Sequence, residues 1–265
     1  MIFHSAVEPI YFLLPVLGFL IGLFGTMLGG GGGFFFLPIL TLLLNVPAQT
    51  AVITSLVASM PIGLVGSWGH HRNGNIDLKV AAMFVVVGIV GAFAGAAITS
   101  RISSEQLKAF FGIYSILIAA HIIYGSLKMK KEQQSEQHVA VTKSEKLVRS
   151  SFFGLTAGLI TGTFGTSGTA PVLAGLFSLR IPIKLVIGTS LLVVLVNTVF
   201  AIGAHLFVGQ VDLTLVYFLT MGSALGAVTG PRLLAKSKRV DRSETKARYM
   251  YALVMVAIGI LMIIR

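Results

Sequence analysis

Hydrophobic residues occur along this chain in long runs, separated by short segments that hold most of the charged residues. Examples are the runs Leu78–Thr99, Leu107–Leu127 and Leu213–Ala235. About 20 consecutive apolar residues is the length at which an α-helix crosses the hydrocarbon core of a bilayer. Because no segment between the runs is long and polar enough to form a separate soluble domain, the pattern predicts an all-α polytopic membrane protein.

The pattern occurs twice along the chain. Thr54–Leu56 read TSL, and Thr189–Leu191 read TSL again 135 positions later. The same offset relates His70 to His205 and the motif GNIDL to GQVDL. An internal repeat of this kind is typical of secondary transporters. Each copy is predicted to contain five helical elements: Ile10–Leu28, Phe34–Leu44, Ala48–Gly69, Leu78–Thr99 and Leu107–Leu127, then Val148–Phe164, Pro171–Leu179, Ile183–Val208, Leu213–Ala235 and Ala247–Ile264.

Five consecutive glycines, Gly29 to Gly33, follow the first element. Each costs about 1 kcal/mol relative to alanine inside a helix, and lipid cannot hydrogen-bond the backbone that such a break exposes. The break is therefore expected only where protein encloses it or where it lines a cavity. In the second copy GTFGTSGTAP, from Gly162 to Pro171, takes its place. The short element after each break is predicted to be a half-helix or the return arm of a re-entrant hairpin.

Charge gives an orientation. The chain is 55% hydrophobic and 11% charged, with a formal net charge of +11, whereas soluble domains are roughly 25% charged. Arg180 and Lys184 flank the start of the third element in the second copy only, and Arg72 and Lys79 flank the start of the fourth element in the first copy only. This alternation predicts an inverted repeat, with the basic linker in the cytoplasm and both termini outside.

Two glycine-rich breaks related by a pseudo-two-fold axis are expected to face each other near the midplane. A glycine-rich turn that leads into a helix directs backbone N–H groups and the positive end of the helix dipole at one point, which suits a small anion. Hydroxyl groups and one amide add neutral hydrogen-bonding groups. The predicted substrate-binding residues are Thr26, Gly29, Gly30, Gly31, Gly32, Gly33, Thr54, Ser55, Thr166, Ser167, Gly168, Thr169, Thr189, Ser190 and Asn197.

Each feature also has an interpretation that involves no substrate. Glycine runs permit close packing of membrane helices, and membrane Thr and Ser often donate to the carbonyl four residues earlier. Asp77 and Asp212 precede the fourth elements, where N-capping is the expected role. His70 and His205 lie at the ends of the third elements, as ordinary interfacial histidines or as a proton relay.

With this repeat and these glycine motifs, the chain resembles the sulfite exporter TauE/SafE family of membrane permeases over nearly its full length. The motifs that carry the resemblance are GFLIGLFGTMLGGGGGFFFLPIL and PAQTAVITSL in the first half, with GLTAGLITGTFGTSGTAPVL and IPIKLVIGTSL in the second. The resemblance implies export of sulfite, sulfonates or related sulfur-containing anions across the bacterial inner membrane without ATP hydrolysis. The chain also lacks a phosphate-binding loop of the GxxxxGK[ST] type.

Other classes of function are weighed against this one. GTSG at Gly165–Gly168 matches the GxSG of rhomboid intramembrane proteases, with Ser167 as nucleophile and His205 as base, but the first copy has no equivalent serine. A passive anion channel is compatible with the repeat. Metal uptake through His70, His71 and His205 lacks support from an intramembrane carboxylate, and the absence of cysteine excludes thiol chemistry.

The sequence therefore predicts a secondary transporter and not an enzyme. Its parts are a first membrane repeat (1–127), a cytoplasmic basic linker (128–147) and a second membrane repeat (148–265). The protein is expected in the inner (plasma) membrane, exporting a small sulfur-containing anion by alternating access. The expected partners are that anion and the bilayer, with a homo-oligomer allowed and with no nucleic acid, metal or cofactor.

Overall fold

The computed structural model describes residues 2–27, 32–132, 142–236 and 244–265, and these are largely helical. A two-residue strand, β1 (Ile2–Phe3), pairs in parallel with β2 (Val211–Asp212). A 3-10 turn, Pro9–Leu13, leads into the first helix. The helices are α1 (Leu14–Met27), α2 (Gly33–Leu43), α3 (Ala48–Arg72), α4 (Leu78–Thr99), α5 (Ser104–Glu132), α6 (Lys143–Phe164), α7 (Thr169–Ser178), α8 (Ile183–Val208), α9 (Leu213–Lys236) and α10 (Glu244–Ile264).

The lengths of these helices confirm an all-α polytopic membrane protein. In the described part of the chain, 6 helices are long and apolar enough to cross a membrane. The second element of each copy, α2 and α7, is shorter than a span, as the sequence predicts. Within the predicted linker, α5 continues to Glu132 and α6 begins at Lys143, while residues 133–141 lie outside the described part.

Local sequence signals account for several helix starts. Pro47 and Pro182 immediately precede α3 and α8, where a fixed φ suits a helix entrance. The Asp77 carboxylate accepts hydrogen bonds from the N–H groups of Lys79 and Val80, which confirms its predicted N-capping role at α4. Asp212 accepts from the Thr214 N–H at the start of α9 in the same way.

Glycines determine the two closest helix contacts. A Cβ atom on Gly158 of α6 would collide with the Gly88 carbonyl of α4, and one on Gly22 of α1 would collide with the Ser223 carbonyl of α9. Both helix pairs, α1 with α9 and α4 with α6, run parallel, because the contacting residue numbers rise together. Such backbone-to-backbone approach is how small residues hold membrane helices together.

Several other contacts between helices also occur in related pairs. Helix α3 crosses α8 in antiparallel orientation, with Gly63 against Leu195 and Gly66 against Leu191. Helix α5 lies antiparallel to α10, where Ser115 donates to the Met255 carbonyl. Helix α3 also packs on α9, and α4 packs on α8. When the two copies are exchanged, the contact of α3 with α9 becomes that of α8 with α4. The contacts of α3 with α8 and of α5 with α10 become themselves.

These helix directions give the bundle two ends. At one end, termed the terminal face, β1 pairs with β2, and Lys108 of α5 donates to the Arg265 carbonyl. At the opposite end, termed the linker face, Arg149 of α6 donates to the Ser178 carbonyl of α7. The end of α5 and the start of α6 lie at this linker face.

The two helix-capping aspartates are expected to differ in their effect on stability. Asp77→Ala removes one N-cap and should lower the free energy of unfolding by about 1 kcal/mol. Asp212→Ala should cost more, because the buried Asp212 carboxylate also accepts from the Ser5 N–H. Thermal unfolding of the purified protein in detergent measures both changes. A loss for Asp77→Ala that equals or exceeds that for Asp212→Ala would contradict this account.

Candidate functional site

The two half-helices begin next to each other inside the bundle. A Cβ atom placed on Gly33, the first residue of α2, would lie 3.3 Å from the Ser167 backbone nitrogen and 3.4 Å from the Ser59 Cβ. Helix α2 then runs to the terminal face, where Arg265 donates to the Leu42 carbonyl. Helix α7 runs to the linker face and ends at Ser178. Two helix N-termini therefore meet near the centre and point away from each other.

Glycines with left-handed backbone form both starts. Gly32 has a φ of 62°, and Gly168 has a φ of 49°. Neither half-helix N-terminus receives a hydrogen bond from a capping side chain. The orphan N–H groups of a helix start are the groups that bind anions. Of the other predicted glycines, Gly29, Gly30 and Gly31 lie outside the described residues.

An aromatic cluster packs the start of α2 and the end of α6 against α5. Phe111 of α5 lies between Phe34 of α2 and Phe164 of α6, with ring centroids 4.9 Å and 5.7 Å away. Tyr114, one turn further along α5, stacks on Phe164 at 5.5 Å. The start of α2 and the end of α6 are thus packed against protein, as backbone near a helix end requires in a membrane.

The hydroxyl groups of the predicted TSL motifs are used mainly within the helices. Thr54 donates to the Thr50 carbonyl, Ser55 to the Ala51 carbonyl and Ser190 to the Ile187 carbonyl. Thr189 accepts from the Asp77 N–H near the linker face, whereas Thr54 lies on the other side of the α3–α8 crossing. The two motifs therefore do not lie together.

Thr26 behaves in the same way. Its hydroxyl donates to the carbonyls of Gly22 and Leu23, and it lies against Gly230 of α9. This contact belongs to the α1–α9 packing and not to the half-helix starts.

The polar turn before α7 differs from these helical hydroxyls. Thr169 donates to the Ser167 hydroxyl at 3.0 Å. The Thr166 hydroxyl is buried and has no hydrogen-bond partner. An unpaired buried hydroxyl costs free energy, so Thr166 is the hydroxyl of this turn that is open to an additional ligand.

Asn197 supplies a second polar group without a partner. It is 0% exposed, and neither its amide nitrogen nor its amide oxygen is hydrogen-bonded. Its side chain lies in the space that a Cβ on Gly88 would occupy, close to the middle of α8. Buried polar groups are normally paired, so an amide with both ends unsatisfied is an exception that calls for an explanation.

Sequence reasoning missed two residues of this region. Ser59 faces Gly33, and its hydroxyl donates to the Leu56 carbonyl. Gly88 makes room for Asn197. The signal for Ser59 was its position one helical turn after Ser55. For Gly88 the sequence signal was weaker. The repeat places a small polar residue, Ser223, at the equivalent position of the second copy, so both positions carry a small residue.

The two histidines at the ends of α3 and α8 have different surroundings. The His205 ring nitrogen Nε2 lies 2.6 Å from the Gly162 carbonyl oxygen, and the side chain is 1% exposed. Nδ1 of the half-buried His70 has no hydrogen-bond partner. The hydrogen bond that His205 makes is therefore to a backbone carbonyl and not to the Ser167 hydroxyl that a protease would require.

Metal coordination receives no support from the described residues. Across residues 2–27, 32–132, 142–236 and 244–265, no three His, Asp or Glu side chains are grouped so that they could hold an ion.

The long apolar spans, arranged around two interrupted helices, make this a polytopic membrane protein with a polar break at its centre. The family model described as Sulfite exporter TauE/SafE matches residues 14–262, and the chain belongs to this family. This confirms the resemblance seen in the sequence motifs.

The chain is also similar to individual proteins of bacteria. It is 30% identical over 221 residues to the probable membrane transporter protein YdhB of Bacillus subtilis, covering 83% of this chain and 89% of the relative. It is 27% identical over 251 residues to a probable membrane transporter protein of Xylella fastidiosa, covering 94% and 93%. No solved structure matches the chain. Its relatives are named as membrane transporters, and the chain belongs to a family of transporters and not of enzymes.

The unpaired amide of Asn197 predicts an unusual stability effect. Asn197→Leu keeps a similar volume and removes the unsatisfied amide, so the free energy of unfolding should stay the same or rise by about 1–2 kcal/mol. The matched control, Ser223→Val, should destabilise, because Ser223 donates to the Ala58 carbonyl at 2.6 Å. Thermal unfolding in detergent tests both. A clear loss of stability in Asn197→Leu would show that its amide is paired.

Proposed function

We propose that this protein is a secondary transporter that exports a small sulfur-containing anion, such as sulfite or an organosulfonate, by alternating access. The observation that carries the proposal is the meeting of two uncapped half-helix N-termini within a bundle that also buries the unpartnered amide of Asn197. The family description, a sulfite exporter, supports the choice of substrate.

The chemistry of the break suits an oxyanion held by neutral groups. Backbone N–H groups at the starts of α2 and α7 carry the positive ends of two helix dipoles. The Thr166 hydroxyl and the Asn197 amide add neutral hydrogen-bonding groups with no partner of their own. Neutral donors bind an anion without fixing it as an ion pair, which suits a ligand that must also be released.

The contacts between helices support an inverted repeat. Each copy contributes a hairpin, α1–α2 or α6–α7, that returns to the face where it began, followed by three crossing helices. An odd number of crossings per copy reverses the second copy relative to the first. The exchange of roles in the paired contacts, α1 with α9 and α6 with α4, fits two membrane repeats, 1–127 and 148–265, related by a two-fold axis.

Charge supports an orientation with the linker face in the cytoplasm. Arg72, Lys79, Arg180 and Lys184 lie at or beside the loops of the linker face. The loops NVPAQ and GQVD, on the terminal face, have no basic residue. Positive charge marks the cytoplasmic side of a plasma-membrane protein. Leaving a cell that is negative inside, an anion gains about 2.3 kcal/mol per charge per 100 mV, so export needs no coupling ion.

Efflux from proteoliposomes tests the function. Vesicles loaded with sulfite, a taurine-type sulfonate, sulfate or acetate are diluted with and without an imposed potential. We expect saturable, potential-sensitive efflux of a sulfur oxyanion. The absence of any anion flux from folded protein would contradict the proposal, and flux that does not saturate would identify a passive channel instead.

Two threonine variants test the site. Thr166→Val should lower efflux about tenfold, because it removes a hydroxyl that can bind the anion. Thr156→Val is the matched control, since the Thr156 hydroxyl donates to the Phe152 carbonyl of its own helix. Equal efflux from the two variants would remove Thr166 from the site.

A glycine variant tests the start of α7 directly. Gly168→Leu should abolish efflux, because a side chain there would meet the Ala157 carbonyl and strain a left-handed residue. Normal efflux from folded Gly168→Leu would reject the assignment of this break as the binding site. Gly31→Leu is likewise expected to abolish efflux, although Gly31 lies outside the described part of the chain.

A further inference from the structure

The hydrogen bond between His205 and Gly162 joins α8 to α6 on the side toward the terminal face. The repeat places His70 at the position of His205. Gly18 and Gly22 of α1 contact α9 at the positions where Gly154 and Gly158 of α6 contact α4, so Thr26 of α1 corresponds to Gly162. The equivalent pair is therefore His70 with the Thr26 carbonyl. The described residues show no such bond from His70: its Nδ1 has no partner, and its Cβ lies against Gly188 of α8.

Other contacts near His205 also close the terminal face. Strand β1 pairs with β2, which begins three residues after the end of α8. The Ser5 N–H donates to the Asp212 carboxylate, and the Thr214 hydroxyl donates to the Ser5 carbonyl. This layer covers the loop between α8 and α9.

The linker face lacks such a layer at the equivalent place. Ile76 and Asp77, which correspond to Val211 and Asp212, are paired with no strand in the described residues. A cavity of about 380 Å³ is lined there by Asp77, Lys79 and Leu185 among others. An adjoining cavity of about 290 Å³ reaches Ser67 and Trp68 of α3 and Leu192 of α8. The Ser67 hydroxyl is buried and has no partner.

We propose that His205–Gly162 and His70–Thr26 are alternative latches that close the terminal face and the linker face in turn. The structure described here has the first latch closed and the second open. In the opposite state, His70 donates its hydrogen bond to the Thr26 carbonyl on α1, and His205 releases Gly162. The inference rests on the alternating access of the proposed function and assigns the residues that hold each state.

The crossing of α3 and α8 explains why the two latches exclude each other. These helices pack tightly at their centres, where a Cβ on Gly63 would lie 3.1 Å from the Leu195 Cδ1. His70 and His205 lie toward opposite ends, one on each helix. Rocking about this central contact brings one end together as it separates the other, which is the motion expected of inverted repeats.

Single-cysteine labelling tests the latches without any transported substrate. The chain contains no cysteine, so a single introduced thiol has no background. Ser67→Cys reports on the linker face, and Ile202→Cys, at the equivalent position of the second copy, reports on the terminal face. Each reporter is exposed to a membrane-impermeant maleimide from one side, in right-side-out and inside-out vesicles. The rate of labelling measures how often that face is open.

The His205→Ala variant should raise labelling of the Ile202→Cys reporter about tenfold, because it removes a buried hydrogen bond that holds the face closed. His205→Gln, which retains an amide donor near Nε2, should restore slow labelling. His70→Ala should leave the Ile202→Cys reporter as slow as in the unsubstituted protein, since it removes a bond of the other state. His121→Ala, on an exposed position of α5, is the control.

Two results would overturn the proposal. One is unchanged labelling of the Ile202→Cys reporter in folded His205→Ala, and the other is an equal increase in His205→Ala and His70→Ala. If His205→Ala does not fold, two other measurements decide the question. The latches are supported if the Ile202→Cys reporter is labelled slowly in His205→Gln and if His70→Ala raises the ratio of Ser67→Cys labelling to Ile202→Cys labelling, and they are rejected if either result fails. Because labelling needs no substrate, a shift in accessibility without sulfite efflux supports the latches and rejects only the proposed cargo.

Discussion

Every backbone polar group inside a bilayer must find its partner within the protein, and this constraint governs the whole bundle. Helices α2 and α7 begin far from either face, so their first N–H groups are stranded unless protein surrounds them. The surroundings are Ser59 of α3, the Phe111 cluster of α5 and the close glycine packing of the outer helix pairs. The long helices enclose two short ones, and the proposed anion site lies at the starts of the short helices.

Much of this architecture could be predicted from the sequence, because the signals were local or repeated. Hydrophobic runs placed the long spans, and prolines at 47 and 182 marked the starts of α3 and α8. The glycine breaks placed the short helices within one or two residues of where they begin. Asp77 was assigned to helix capping by its position alone, and its two hydrogen bonds confirm that role.

The polar site was less predictable, because hydrogen-bond partners depend on rotamers and register. Thr54, Ser55, Thr166 and Asn197 were equal candidates in sequence, but two of them donate to their own helix and two have no partner. For Asn197 the deciding feature is Gly88, a glycine on another helix, against which the amide lies. The repeat relates Asn197 to Ile62, so the repeat gave no indication that only one copy supplies an amide at this position of the candidate site.

The pairing of α1 with α9 also has a consequence for how the chain is made. The glycine face of α1 contacts Ser223, about 200 residues later in synthesis. At about 5–20 residues per second, α1 waits on the order of 10–40 s in the membrane before its partner exists. Neither half can complete its own packing, since α4 equally needs α6. The folding unit is therefore the whole chain, and a break in translation between the copies leaves both without their closest neighbours.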